Sequence, residues 1–179
     1  MENAYVDVDF HSSLDEESGF IFLNATITLM DTETDNRITI GNANFHLINV
    51  NLYENWNSVV YHADSIDGDI YSITEGLAEV IVNEVDFIGL LVVMDTIKIE
   101  KEYRRKGYAT KAIKEILKYF ETWGCDYFAL RPFPFEEENE VVKKGLVQRL
   151  VDFYKQFNFE IVQEDSDTQL ILGRNLNYL

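Results

Sequence analysis

Ile97-Lys98-Ile99-Glu100-Lys101-Glu102-Tyr103-Arg104-Arg105-Lys106-Gly107-Tyr108-Ala109-Thr110 joins a run of β-branched residues to an amphipathic helix. Upstream, Phe87 to Ile99 is rich in Val, Ile and Leu and reads as a central strand, apolar on both faces at its start. Downstream, Ala109, Ala112, Ile113, Ile116, Leu117 and Phe120 fall on one helical face, while Lys111, Lys114, Glu115 and Lys118 turn to water. That periodicity sets a helix over Arg105 to Phe120. Gly124 stands in the usual C-cap region, and Tyr127 to Arg131 reads as a second, short strand. Strand, loop, helix and strand together make a βαβ unit.

In such a unit the loop after the first strand is suited to an anion. The first N–H groups of the helix have no intrahelical partner, and the helix dipole favours negative charge beside them. Gly107 lets a phosphate approach the backbone with no side chain in the way. Ala109 is small where the helix packs close, and Arg104, Arg105 and Lys106 add positive charge. The combination suits a pyrophosphate. A dinucleotide fingerprint needs three glycines, and a P-loop needs Gly-Lys followed by Ser or Thr. The loop has neither.

The rest of the chain surrounds this unit. Tyr5 to Phe10 reads as a short strand, and Phe20 to Met30 alternates as a half-buried one. Ile38 to Val50 alternates again after the polar turn Asp31 to Asn36, so the two longer runs suggest an antiparallel hairpin. Asn55 to His62 and Gly68 to Val80 read as helices. Pro132 to Glu140 is a loop carrying Glu136, Glu137 and Glu138. Gly145 to Phe157 is a helix, with Leu146, Leu150, Phe153, Tyr154 and Phe157 at three- and four-residue spacings. Phe159 to Val162 and Gln169 to Leu172 form a terminal hairpin around Glu164 to Asp167. No linker or repeat interrupts residues 1–179, so a single domain is expected.

Charge is unevenly placed. The net charge is −17 over 179 residues, and up to Ile97 there are 18 acids against one base, Arg37. From Lys98 onward acids and bases balance, 14 of each. An acidic half disfavours nucleic acid, which needs a basic footprint, and it attracts cationic partners through its field. No run approaches the roughly 18 apolar residues of a membrane span. The start Met1-Glu2-Asn3-Ala4 lacks signal-peptide character, and Cys125 is the only cysteine. A reducing, cytoplasmic setting is expected. His11, His46 and His62 show no ligand spacing, so no metal is expected.

The loop resembles the GNAT N-acetyltransferase superfamily, whose pattern is Gln or Arg, two residues, Gly, one residue, then Gly or Ala after a strand. Here that is Arg104-Arg105-Lys106-Gly107-Tyr108-Ala109. The helix end Phe153-Tyr154 running to Asn158-Phe159 resembles a second conserved stretch. The likeness spans about residues 88–172. It implies an α/β fold with a mixed, mostly antiparallel sheet, a central βαβ unit and flanking helices. It also implies acetyl-CoA as co-substrate, held by Ile97, Lys98 and Ile99 on the strand and by Arg104, Arg105, Lys106, Gly107, Tyr108, Ala109 and Thr110 on the loop and helix. Backbone N–H groups near Ile99 would polarise the thioester carbonyl, and Tyr154 would protonate the departing thiolate. Asp95, the acid inside the central strand, is the candidate base.

The implied acceptor is a primary amine of a small molecule or protein, cationic in character and entering past the acidic half, on a monomer or homodimer. Departures from the pattern are Asn158 where glycine is usual, Val147 where an asparagine often binds pantetheine, and two helices placed after the hairpin rather than before it. They motivate a rival reading: a catalytically silent protein of this fold that uses its acidic half to bind a basic partner.

Overall fold

The computed structural model describes residues 4–33, 35–78, 89–134, 139–166 and 169–177. Three long strands come first: β1 (Ala4–Leu14), β2 (Ile21–Asp31) and β3 (Arg37–Asn49). A 3-10 turn leads to α1 (Trp56–Ile66) and α2 (Gly68–Gly76). The βαβ unit follows as β4 (Leu90–Ile99), α3 (Tyr108–Thr122) and β5 (Tyr127–Leu130). The chain closes with α4 (Glu140–Lys155), β6 (Glu160–Ser166) and β7 (Gln169–Asn175). The strands form one sheet in the order β1-β2-β3-β4-β5-β7-β6. Only the β4–β5 pair is parallel. The fold is therefore the expected α/β one, a mixed and mostly antiparallel sheet around a βαβ unit.

The sheet is covered on both faces because β4 is apolar on both. Leu91 and Val93 pack with α1 and α2 through Val59, Ala63, Ile70 and Ile73. Val92 and Met94, pointing the other way by strand alternation, pack with α3 and α4 through Ile116, Phe120, Val147 and Val151. Phe128 on β5 is fully buried and sits edge-on to Phe45, Phe120 and Phe159. Burying each such ring contributes roughly 1.5–3 kcal/mol.

Several boundaries differ from the sequence reading. β1 runs on through Ser12 and Ser13 to Leu14 because pairing with β2 needs only its backbone, and its outer end is exposed. The first helix is longer than read, to Ile66. Its N-cap Asn55 accepts from the Ser58 N–H at 3.1 Å. α3 starts at Tyr108, not Arg105, because Arg105 and Gly107 hold left-handed backbones, φ 61° and 78°. It ends at Thr122 rather than Phe120, with the cap at Gly124 as read: Gly124 N–H donates to Glu121 C=O and Cys125 N–H to Phe120 C=O, the Schellman pattern. α4 starts at Glu140 and passes through Gly145, which meets nothing nearby. A glycine there costs only about 1 kcal/mol. The terminal strands pair as the hairpin expected, and β7 lies against β5. The reading's residues 79–80 and 87–88, the acidic run Glu136 to Glu138, and Asp167 lie outside the described residues.

Candidate functional site

The site begins where two strands part. β4 pairs with β5 only from Leu91–Tyr127 to Met94–Leu130, yet stays paired with β3 as far as Ile99–Gly41. Residues 95–99 thus have a strand on one side only. The register to β3 also slips here: Asn44 faces Thr96 and Phe45 faces Met94, leaving Asp95 as an extra residue. Such a bulge bends the strand and re-aims its side chains. Glu100 N–H donates to Ile40 C=O at 2.8 Å. By alternation the backbone groups of Ile97 and Ile99 then face away from β3, into the gap. The Ile99 carbonyl is taken by Arg104 Nε at 2.7 Å, while the Ile97 N–H faces a cleft.

That cleft holds about 710 Å³. Its β-strand side is Asn42, Thr96, Ile97 and Lys98, and Arg104 closes one end. Phe133 and Pro134, after β5, form a second wall. The third is Leu146, Arg149 and Leu150, three- and four-residue neighbours on one face of α4.

The anion loop leads out of this cleft. A turn at Lys101–Tyr103 and the left-handed Arg105 and Gly107 swing the chain from the end of β4 into α3. Gly107 is the N-cap and supplies no side-chain acceptor to the first turn, Tyr108, Ala109 and Thr110. A Cβ built on Gly107 would touch nothing within 4 Å, so open space lies before the helix N-terminus. Tyr103, Tyr108 and Ala109 pack on the cluster of Ile40, Ile99 and Ala112, which anchors the loop to the sheet. Lys106 Nζ lies 5.6 Å from the Tyr103 ring centre, and Arg105, Lys106 and Gly107 are exposed. An open helix N-terminus ringed by cations fits a pyrophosphate.

The two candidate proton-transfer residues occupy different surroundings. Tyr154 is 4% exposed, inside the cluster that also holds Met94 and Leu130, the last paired residues before the strands part. Phe153 and Phe159 sit edge-on to its ring. Burial pushes its phenol far above the ordinary value, so it stays protonated. It does not line the cleft. Asp95, at the bulge, is half-buried. Burial, and then the charges of Asp67 and Asp69, push its carboxyl above the usual carboxylate range. Asp67 caps α2 by accepting the Asp69 N–H at 2.7 Å, and Asp69 takes Arg131 Nη1 at 2.9 Å.

The structure thus gathers Ile97, Lys98 and Arg104 on one cleft, with Arg105 to Thr110 leading away from it. Tyr154 lies in the core, and Asp95 stands beside the acids of α2. Asp67, Asp69 and Asp95 make a group of carboxylates there. The described residues that line the cleft itself carry three cations, Lys98, Arg104 and Arg149, and no acid. Sequence reasoning missed Asn42, Thr96, Phe133, Pro134 and Arg149. Only the Leu146–Leu150 spacing gives a signal, and it marks a helix face without saying what that face meets. It also missed Asp126, whose carboxylate accepts the N–H groups of Gly89 and Leu90, both at 2.7 Å, and pins the start of β4. Cys125 is buried and its thiol is pushed up to about 12, chiefly by burial, which makes it a poor nucleophile.

The Acetyltransferase (GNAT) family model matches residues 80–159. No curated protein matches the chain. Among solved structures the chain is similar to a GNAT family N-acetyltransferase from Escherichia coli in complex with CoA, at 13% identity and TM-score 0.46, over 97% of this chain and 82% of that one. It is similar to arylalkylamine N-acetyltransferase 2 from Aedes aegypti, at 14% identity and TM-score 0.48, over 85% and 73%. The ribosomal-protein-S18-alanine N-acetyltransferase from Escherichia coli is similar at 10% identity and TM-score 0.43, over 88% and 71%.

Proposed function

From the GNAT acetyltransferase segment at residues 80–159, we propose that the chain transfers an acyl group, acetyl first among candidates, from CoA to a primary amine. The observation that carries this reading is the parting of β4 from β5, which turns the Ile97 N–H into a cleft that leads to the uncapped start of α3. A thioester lying between the strands would have its pyrophosphate at the Tyr108, Ala109 and Thr110 N–H groups, beside Arg104, Arg105 and Lys106. The Ile97 N–H would donate to its carbonyl oxygen and polarise it.

The acceptor amine must arrive neutral at the carbonyl carbon. Asp95 takes the ammonium proton, and burial makes it hold a proton more readily than an ordinary carboxylate. The amine nitrogen then bonds to the carbonyl carbon and the carbon–sulfur bond breaks. Tyr154, held protonated by burial, delivers its proton to the departing sulfur. The second proton of the amine nitrogen, released as the amide forms, restores the Tyr154 hydroxyl through solvent, and Asp95 returns its proton to water. Asp67 and Asp69, beside Asp95, favour a cationic amine on that side.

One observation favours the rival, non-catalytic reading: the Tyr154 side chain is packed among Phe153 and Phe159 rather than in the cleft wall. Thiol release from acetyl-CoA, followed across a panel of diamines, arylalkylamines and lysine peptides, separates the two. Catalysis is supported by amine-dependent release that Tyr154→Phe lowers about 100- to 10,000-fold with the KM for acetyl-CoA held. Such an effect is of the usual size for a general acid. Release no faster than without protein, for every amine, supports the binding-only reading.

A further inference from the structure

α4 presents two faces, and they do different things. Val147, Val151 and Tyr154, at spacings of four and three, are all buried in the core. Leu146, Arg149 and Leu150 face the cleft instead. Val147 occupies the place where the resemblance leads one to expect a polar contact to the co-substrate, and at zero exposure it makes none. The polar group that α4 does turn toward the cleft is the Arg149 guanidinium.

Arg149 is exposed and makes no ion pair with a described residue. It shares the cleft with Lys98 and Arg104, which come from the opposite, strand side. Three cations around one concavity, with no acid among the described lining residues, stand out on a chain of net charge −17. A neutral or cationic ligand gives no reason for that reversal. A ligand carrying phosphate does, and guanidinium is the side chain best matched to phosphate geometry.

We propose that Arg149 is a positioning residue for the co-substrate, holding a phosphate group of CoA from the α4 side of the cleft while the Arg104–Ala109 loop holds the other side. This rests on the CoA reading above and adds a residue to it. Two phosphate sources fit the chemistry, the pyrophosphate and the 3′-phosphate on the ribose.

The test compares wild type, Arg149→Gln and Arg149→Lys on acetyl-CoA, acetyl-dephospho-CoA and S-acetylpantetheine, with binding by calorimetry and melting curves as a fold control. The expected result is about a tenfold weaker Kd for acetyl-CoA in Arg149→Gln, the usual effect of removing a charge-assisted hydrogen bond. Arg149→Lys recovers part of it. On S-acetylpantetheine, which has neither the pyrophosphate nor the 3′-phosphate, wild type and Arg149→Gln are expected to be equal. If the gap vanishes on acetyl-dephospho-CoA the contact is the 3′-phosphate, and if it persists the contact is the pyrophosphate; both support the assignment. Equal affinity of wild type and Arg149→Gln for acetyl-CoA overturns it and leaves the CoA reading intact. No binding of acetyl-CoA by wild type overturns both.

Discussion

Asp95 is the residue whose place the sequence could flag but not explain. An acid within an apolar strand stands out in the sequence; the bulge that re-aims it does not. An extra residue in one strand leaves no mark on local composition and shows only in the pairing with β3. The bulge also sets its chemistry. Burial and the neighbouring Asp67 and Asp69 raise the carboxyl's proton affinity, and the base is the deprotonated form. The acid limb of the kcat/KM profile is therefore expected above the ordinary carboxylate range, with activity rising as pH increases through it. Asp67→Asn removes one repelling charge and is expected to move that limb to lower pH. Asp95→Asn is expected to remove most of the rate. A limb that stays put in both variants assigns the proton transfer to another group.

At the scale of elements, the strands and helices were legible wherever burial imposes a period, and their ends were not. α3 announced itself by Ala112, Ile113, Ile116, Leu117 and Phe120, all buried as the pattern requires. Its start was misplaced because nothing in Arg105 marks it as left-handed. The end of α4 gives the opposite lesson. Asn158 stands where glycine is usual, and its φ of 61° is the left-handed conformation that Asn adopts more readily than most residues. The Phe157 and Phe159 side chains on either side of it are both buried, so the turn cannot relax without moving core. Asn158→Val is expected to cost about 1–2 kcal/mol, read as a lower urea midpoint at unchanged slope, while Asn158→Gly stays within a few tenths. Equal midpoints for Val and Gly contradict the claim that this residue's backbone stops the helix.

Across the whole molecule, charge and fold divide the labour. Two acids of the first half, Asp67 and Asp69, stand beside Asp95, and five bases of the second half, Lys98, Arg104, Arg105, Lys106 and Arg149, lie on the cleft and the anion loop. The sequence displayed that split without saying what it was for, because linear order does not show that Arg149, 51 residues after Lys98, lines the same cavity. The same holds for the parting of β4 from β5, which depends on where pairing stops. The central claim is that the gap between those strands, together with the loop at Gly107, holds a CoA thioester. The most direct measurement is calorimetric titration of the protein with acetyl-CoA, beside Gly107→Val as a control whose fold is checked by its melting curve. Binding to one site, accompanied by thermal stabilisation and lost in Gly107→Val, is the expected result. No heat and no stabilisation at millimolar acetyl-CoA, or undiminished affinity in a folded Gly107→Val, would contradict it.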